Sequence, residues 1–219
     1  MKTKLFLFLI ISLLSSQLYA QKGFPFDNEI HAFKQLDSLN MPKPGGILFV
    51  GSSSIRLWDD LEQRYAGKPI IKRGVGGSEL WQWVQYFPQY LIYPYKPKKV
   101  FIYAGENDIA SGRSAEDVAG NFEKLWEMIR KELPATEIYF LSIKPSPSRA
   151  KFYAVVAAAN SLIKTSVAKK PKTKYIDVAS TILDPKTQLP DSSLFKPDYL
   201  HLKSTGYDRW QTVLNKYVK

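Results

Sequence analysis

Residues 47–58 read ILFVGSSSIRLW. Four apolar residues, three of them strong strand formers, run into a glycine, three serines and then apolar positions at helical spacing. A short apolar run closed by a turn signal predicts a buried strand, and the change of period behind it predicts a helix that follows at once. Such a junction exposes a side chain at the end of a sheet. The serine triplet is therefore either a plain turn or the seat of a nucleophile at Ser52, Ser53 or Ser54.

The same pattern recurs along the chain. Further apolar runs are PIIK (69–72), KVFIYAG (99–105), EIYFLSI (137–143) and KYIDV (174–178). Helical spacing fills the intervals at 55–66, 79–87, 115–133 and 152–170, with Ser114 as an N-cap, and 205–218 closes the chain. A short amphipathic helix at 26–40 precedes the first strand. Strands alternating with helices predict right-handed crossovers, hence an α/β fold in three α/β/α layers around a five-stranded parallel sheet. In such sheets ligands bind beyond the carboxyl ends of the strands. That rule collects four segments: 51–54, 73–78, 104–108 and the region after the fifth strand. The stretch 182–198 has neither period and is long for a connection, so it is expected to shape the site.

Composition bounds the rest. The chain has 219 residues, 45% hydrophobic, enough for one full core and against disorder. Residues 1–20, MKTKLFLFLIISLLSSQLYA, combine two early lysines, a short apolar stretch and a small residue at a plausible cut site. This is the pattern of a secretory signal peptide, with an apolar core short for a membrane span. A single domain over 21–219 is expected in the periplasm or medium, without stable membrane insertion once the leader is removed. The absence of cysteine excludes a disulfide scaffold and lipid attachment through that residue. Net charge is +11, and removal of Lys2 and Lys4 leaves +9. Much of the excess lies in Lys96–Lys99 and Lys169–Lys174, each directly before a strand-like run. These clusters read as solvated helix-to-strand connections, and no nucleic-acid partner is expected. Attraction to anionic glycans or membrane surfaces stays open.

Two histidines occur. His31 falls among surface-like residues of the first helix and reads as structural. His201 precedes the last helix, with Asp198 three residues upstream, close enough to fix the imidazole tautomer or simply to cap a turn. RGVGGSE (73–79) follows the second strand and turns backbone N–H groups toward the sheet edge, where they can bind an oxyanion or merely close a turn. YAGENDIA (103–110) presents Asn107 and Asp108 at a strand end, as an oxyanion donor or an Asx turn. A serine, two sources of oxyanion donors and a His–Asp pair make the inventory for acyl transfer. No serine has the G-x-S-x-G setting of an α/β-hydrolase. Two separated histidines and no cysteine leave too few ligands for a metal, so neither metal nor cofactor is expected.

Taken in order, the four segments resemble the conserved blocks of the SGNH hydrolases, also called GDSL-type esterases and lipases. FVGSSSI (49–55) stands where that family has Gly-Asp-Ser, and GVGGSE (74–79) is similar to the block that supplies a glycine N–H. AGEND (104–108) resembles the block that supplies an asparagine, and DYLHL (198–202) the block with Asp and His three apart. The resemblance spans 47–207 and looks closest to the branch of platelet-activating-factor acetylhydrolase subunits and bacterial carbohydrate acetylesterases. It implies a flavodoxin-like fold and a serine esterase. It also implies Ser53 as nucleophile, His201 as base, Asp198 as its orienting carboxylate, and an oxyanion hole of Ser53 N–H, Gly77 N–H and the Asn107 side chain. Ser52 departs from the family, which has Asp there.

The resemblance implies a small-molecule or polysaccharide ester as substrate. Export, a basic surface and no apolar run beyond the leader point to short acyl groups, O-acetyl on carbohydrate foremost. Alternatives are a lipid-ester, lysophospholipid or thioester hydrolase, or a non-catalytic glycan-binding relative, for which Ser52 is the hint. Trp58, Trp81, Trp83, Tyr86 and Phe87 crowd the expected site, some as core and others as stacking surface. IKPSPSR (143–149) is expected to border the cleft and to offer Lys144 and Arg149 to an anionic substrate.

Overall fold

The computed structural model describes residues 25–219; the expected leader, 1–20, lies outside the described residues. Five strands form one sheet: β1 (Ile47–Gly51), β2 (Ile70–Gly74), β3 (Lys99–Tyr103), β4 (Glu137–Leu141) and β5 (Thr173–Ile176). Their order is β2-β1-β3-β4-β5 and every pairing is parallel. The chain steps from β1 to one side for β2, then crosses to the other side for β3. The crevice at that reversal is where parallel sheets hold their ligands.

The helices are α1 (Asp27–Leu39), α2 (Ser53–Arg56), α3 (Leu61–Arg64), α4 (Leu80–Gln85) and α5 (Pro88–Leu91), then α6 (Glu106–Ala110), α7 (Ala115–Glu132), α8 (Tyr153–Val167) and α9 (Ser204–Leu214). Side chains alternate across each strand, so the two faces feed two cores. Leu48, Val50, Val100, Ile102, Ile138 and Phe140 pack with residues of α1, α4, α5, α7 and α8. Ile47, Phe49, Phe101, Tyr103, Tyr139 and Leu141 pack on the other face with α2, α3 and α9. The three expected layers are present.

In-register pairing places Phe49 beside Phe101 and Phe101 beside Tyr139. Their rings stack as a ladder across three strands, with centroids 4.6 and 4.5 Å apart. Below it, Trp58 stacks on Tyr207 at 4.6 Å and meets Trp210 edge-on. On the opposite face Arg73 of β2 and Tyr95 both bond the Asp37 carboxylate, tying α1 to the edge strand.

Two expected helices are interrupted. The pattern over 55–66 divides into α2 and α3, because α2 lies backbone-to-backbone on β2: a Cβ at Gly74 would stand 2.2 Å from the Arg56 nitrogen. Past Arg56 the chain leaves helical geometry and turns Trp58 fully into the core. Burial of that indole, worth about 2–3 kcal/mol, outweighs continuing a helix whose residues differ by tenths in propensity. The pattern over 79–87 ends at Gln85, and Pro88 opens α5 at the position where its missing N–H is harmless. The expected 152–170 helix is present as α8, preceded by a 3₁₀ segment over Pro147–Phe152. The aperiodic stretch holds short 3₁₀ turns at Ser180–Ile182 and Ser192–Leu194 and the isolated bridges Leu183–Pro190 and Phe195–Leu202. Lys96 and Lys98, and Lys169 to Lys172, lie in connections before β3 and β5, whereas Lys99 is buried and donates to the Tyr217 carbonyl at 2.7 Å.

The aromatic ladder is the most sensitive part of this packing. Phe101→Ala should lower unfolding free energy by about 3–5 kcal/mol, read as a fall in the denaturant midpoint with an unchanged slope.

Candidate active site

β1 ends on Gly51 (φ 138°), where a Cβ would fall 1.8 Å from the Tyr103 carbonyl oxygen. Only glycine lets β1 and β3 come that close. Immediately beyond, Ser52 has extended geometry and serves as the N-cap residue of α2, and Ser53 is its first residue. Ser52 and Ser54 are buried, while Ser53 is half-buried. The Ser54 carbonyl is held by the Tyr207 hydroxyl. Of the three hydroxyls, the middle one meets the imidazole: Ser53 Oγ lies 2.9 Å from His201 Nε2.

His201 Nδ1 lies 2.7 Å from Asp198 Oδ2, and Asp198 Oδ1 accepts from the backbone N–H groups of Leu200 and His201 at 2.9 Å each. Burial works to raise the Asp198 pKa, but the His201 ring and those two N–H groups outweigh it and hold the carboxyl well below the usual range. An ionised Asp198 can only accept, so Nδ1 carries the proton and Nε2 turns a lone pair to Ser53. The pair rides on a tight turn closed by the Phe195–Leu202 bridge and by Lys196 N–H to the His201 carbonyl at 2.7 Å. Tyr199 at its apex is left-handed (φ 53°), which costs about 1–2 kcal/mol for a residue with a Cβ. Ser148 offsets this by donating through both N–H and Oγ to the Tyr199 carbonyl.

Across the crevice, Gly77 is left-handed (φ 72°) and exposed in the turn after β2. Asn107 Nδ2 donates to the neighbouring Ser78 carbonyl at 3.0 Å, which brings those two expected site residues to one corner. Among the described residues, the N–H groups of Ser53 and Gly77 and the second N–H of Asn107 donate to no other group. The YAGEND block is not the Asx turn that the residues also allowed: Gly105 at φ 115° starts α6. Asp108 points the other way. Buried, it accepts from Leu80 N–H at 2.8–2.9 Å and from Trp81 N–H at 3.4 Å, capping α4. His31 is exposed on α1 and takes no part.

The loop 143–149 departs from expectation. Lys144 does not face a substrate; it is fully buried, 2.7 Å from both Glu106 Oε2 and Ser146 Oγ. Ser146 Oγ also bonds Glu106 and reaches the Leu200 carbonyl at 3.4 Å. Burial opposes ionisation of Glu106, but Lys144 and Arg149 prevail and lower its pKa; burial lowers that of Lys144. Arg149 turns its guanidinium onto the Glu106 carbonyl and the Asn107 side chain rather than outward. The signal for this was present as an unpaired Glu in one block and Lys and Arg in the other, but nothing in one chain says which charges face. Of the crowded aromatics, Trp58, Trp83 and Phe87 are core, and Trp81 and Tyr86 stay partly exposed. No group of three His, Cys, Asp or Glu placed to hold a metal occurs among the described residues.

The arrangement can draw a proton from a serine hydroxyl through an imidazole, and unclaimed N–H donors occur in the segments that follow β1, β2 and β3. The sequence model of the GDSL-like Lipase/Acylhydrolase family matches residues 49–209. Over 184 residues the chain is 26% identical to platelet-activating factor acetylhydrolase IB subunit alpha2 of Gallus gallus, covering 80% of this chain and 77% of the relative. The fold is similar to that of a GDSL-like lipase from Bacteroides thetaiotaomicron, with a TM-score of 0.71 at 17% identity over 86% of this chain and 96% of that one. It is also similar to a carbohydrate esterase family 3 structure from Talaromyces cellulolyticus, with a TM-score of 0.63 at 14% identity over 79% and 95%.

Burial, then the nearby Glu79 charge, push the Asp108 carboxyl up to about 6 against the stabilising Leu80 N–H. A folded-state value above the unfolded one favours folding below the unfolded pKa, and that advantage is lost as pH rises through the folded one. Compared with Asp108→Asn, the wild type should therefore lose about 2–3 kcal/mol of relative stability between pH ~4 and ~7. Parallel melting curves of the two proteins across that window check it.

Proposed function

Because the chain belongs to the GDSL-like lipase/acylhydrolase family, we propose that this ester hydrolase works through Ser53, His201 and Asp198 on short acyl esters outside the cytoplasm. The observation that carries the reading is the hydrogen-bonded chain Ser53–His201–Asp198, 2.9 and 2.7 Å, formed by residues from opposite ends of the sequence.

In this mechanism Ser53 Oγ attacks the ester carbonyl carbon as its proton passes to His201 Nε2. The negative charge that gathers on the carbonyl oxygen is met by the N–H groups of Ser53 and Gly77 and the free N–H of Asn107. Asp198, kept ionised by its three hydrogen bonds, stabilises the imidazolium. The imidazolium returns its proton to the departing alkoxide, leaving acyl-Ser53. Water then attacks that ester, again giving its proton to His201, and the acid leaves as Ser53 is reprotonated. Ser52, where the family has Asp, is buried under the nucleophile with its N–H on the Tyr103 carbonyl, so the departure removes no group from these steps.

O-acetyl groups on carbohydrate are the proposed substrate. The acetylhydrolase and carbohydrate-esterase names of the relatives support that class, and the partly exposed Trp81 and Tyr86 suit a sugar face. Export rests on the leader pattern of residues 1–20. Among the described residues no helix is long and apolar enough to cross a membrane.

On p-nitrophenyl acetate, Ser53→Ala and His201→Ala should each lose roughly 10⁴-fold or more in kcat. Asn107→Ala should lose roughly 10²–10³-fold, as one oxyanion donor. A wild type inert to short esters, acetylated glycans and a fluorophosphonate probe would sink the enzyme reading in favour of a glycan-binding relative. A screen over acyl length and acetylated polysaccharides should peak at acetyl; a peak at long chains or lysophospholipids assigns a lipid ester instead. Mass measurement of the protein recovered outside the cytoplasm should show a chain beginning near Gln21.

A further inference from the structure

We propose that Arg149 is a positioning residue for acyl transfer: it fixes and polarises the Asn107 amide so that one N–H is held ready for the oxyanion. This deepens the proposed function and rests on it.

An asparagine amide can present either its oxygen or its nitrogen to a reacting centre, and the two choices have opposite effects on a developing anion. An N–H stabilises it and an oxygen repels it. What selects the orientation here is a pair of partners with no freedom of their own. Arg149 Nη2 approaches Asn107 Oδ1 at 2.9 Å, and a guanidinium can only donate. The Ser78 carbonyl approaches Asn107 Nδ2 at 3.0 Å, and a carbonyl can only accept. A flipped amide would oppose donor to donor and acceptor to acceptor at both ends. The second N–H of Nδ2 is therefore the one amide group left without a partner among the described residues.

Arg149 is itself held. Its Nη1 donates to the Glu106 carbonyl at 3.0 Å and stands 3.8 Å from Glu106 Oε1, so the guanidinium bridges two successive residues of α6. The Glu106 carboxylate is anchored in turn by Lys144 and Ser146, both buried. The guanidinium charge also lies on the oxygen end of the amide. Charge there draws electron density toward oxygen and makes the N–H end a stronger donor, in a site where neighbouring hydrogen bonds polarise one another. A lysine keeps the charge but not the planar fork, so it cannot hold both oxygens in one geometry.

The test is p-nitrophenyl acetate kinetics for Arg149→Ala, Arg149→Gln and Arg149→Lys, each alone and combined with Asn107→Ala. Circular dichroism and melting temperature serve as folding checks. Arg149→Ala should lower kcat about 10- to 100-fold, less than loss of the donor itself, with KM within about threefold. Arg149→Lys should fall between it and the wild type. In the Asn107→Ala background the Arg149→Ala change should have almost no further effect, because the group it positions is gone. If Arg149→Ala alone does not fold, the Lys and Gln variants carry the same cycle. A kcat within twofold of wild type overturns the proposal. So does a loss that recurs in full without Asn107, or a change confined to KM. Failure of the underlying reading looks different: Ser53→Ala would then retain activity, whatever Arg149 does.

Discussion

A parallel sheet covered on both faces has nowhere to put polar chemistry except at its ends. Beyond Lys99 and Glu137 at the amino ends of β3 and β4, side chains of β1, β3 and β4 enter the two cores alternately, so the rest of these strands leaves no position for a group that must meet water. The carboxyl edge is where that constraint relaxes. Gly51 permits β1 and β3 to approach until their backbones touch, and just beyond that edge lie Ser53 at the start of α2 and Asn107 in α6. Two-sided burial thus decides where the site is, before any side chain decides what it does.

What keeps that edge in order is an unusual amount of buried charge. Removing Glu106 and Lys144 from water is unfavourable, and a buried pair of this kind is poor evidence of stability. Its value lies in its connections. Through Ser146 it reaches the Leu200 carbonyl beside His201, and through Arg149 it reaches Asn107. One cluster therefore holds the loop that bears His201 and the helix that bears Asn107 in a common frame. The Arg113–Glu79–Trp81 contacts and the Asp108 cap do the same for the glycine turn on the other side of Asn107.

The fold was legible because both its signals are short-range. Short apolar runs closed by turn signals and Ser114 at a helix start need only neighbouring residues, and all five strands and the long helix α7 lie where those signals put them. The helix expected over 55–66 was misread because its outcome depends on Trp58 finding Tyr207 and Trp210, far along the chain. The candidate site was legible as four blocks at strand ends, and it was the resemblance of those blocks to the SGNH hydrolases that singled out Ser53, His201 and Asp198. The bracing could not be read that way. Lys144 and Arg149 look like solvent-facing cations in a proline-rich loop, and only the facing of α6 on that loop turns them inward.

The turn that carries Asp198 and His201 also bears on how the chain reaches its working form. Those partners are three residues apart, so their hydrogen bond closes a minimal loop and can form while most of the chain is still open. The contact of His201 with Ser53 spans 148 residues and needs β1, the glycine turns and the final helix all in place. Contacts between distant residues carry a larger loop-closure entropy than local ones. The carboxylate–imidazole contact thus depends only on its own turn, whereas the contact with the hydroxyl depends on the whole sheet. Bringing the Ser53 hydroxyl to the imidazole is therefore a property of the complete topology and of no single segment.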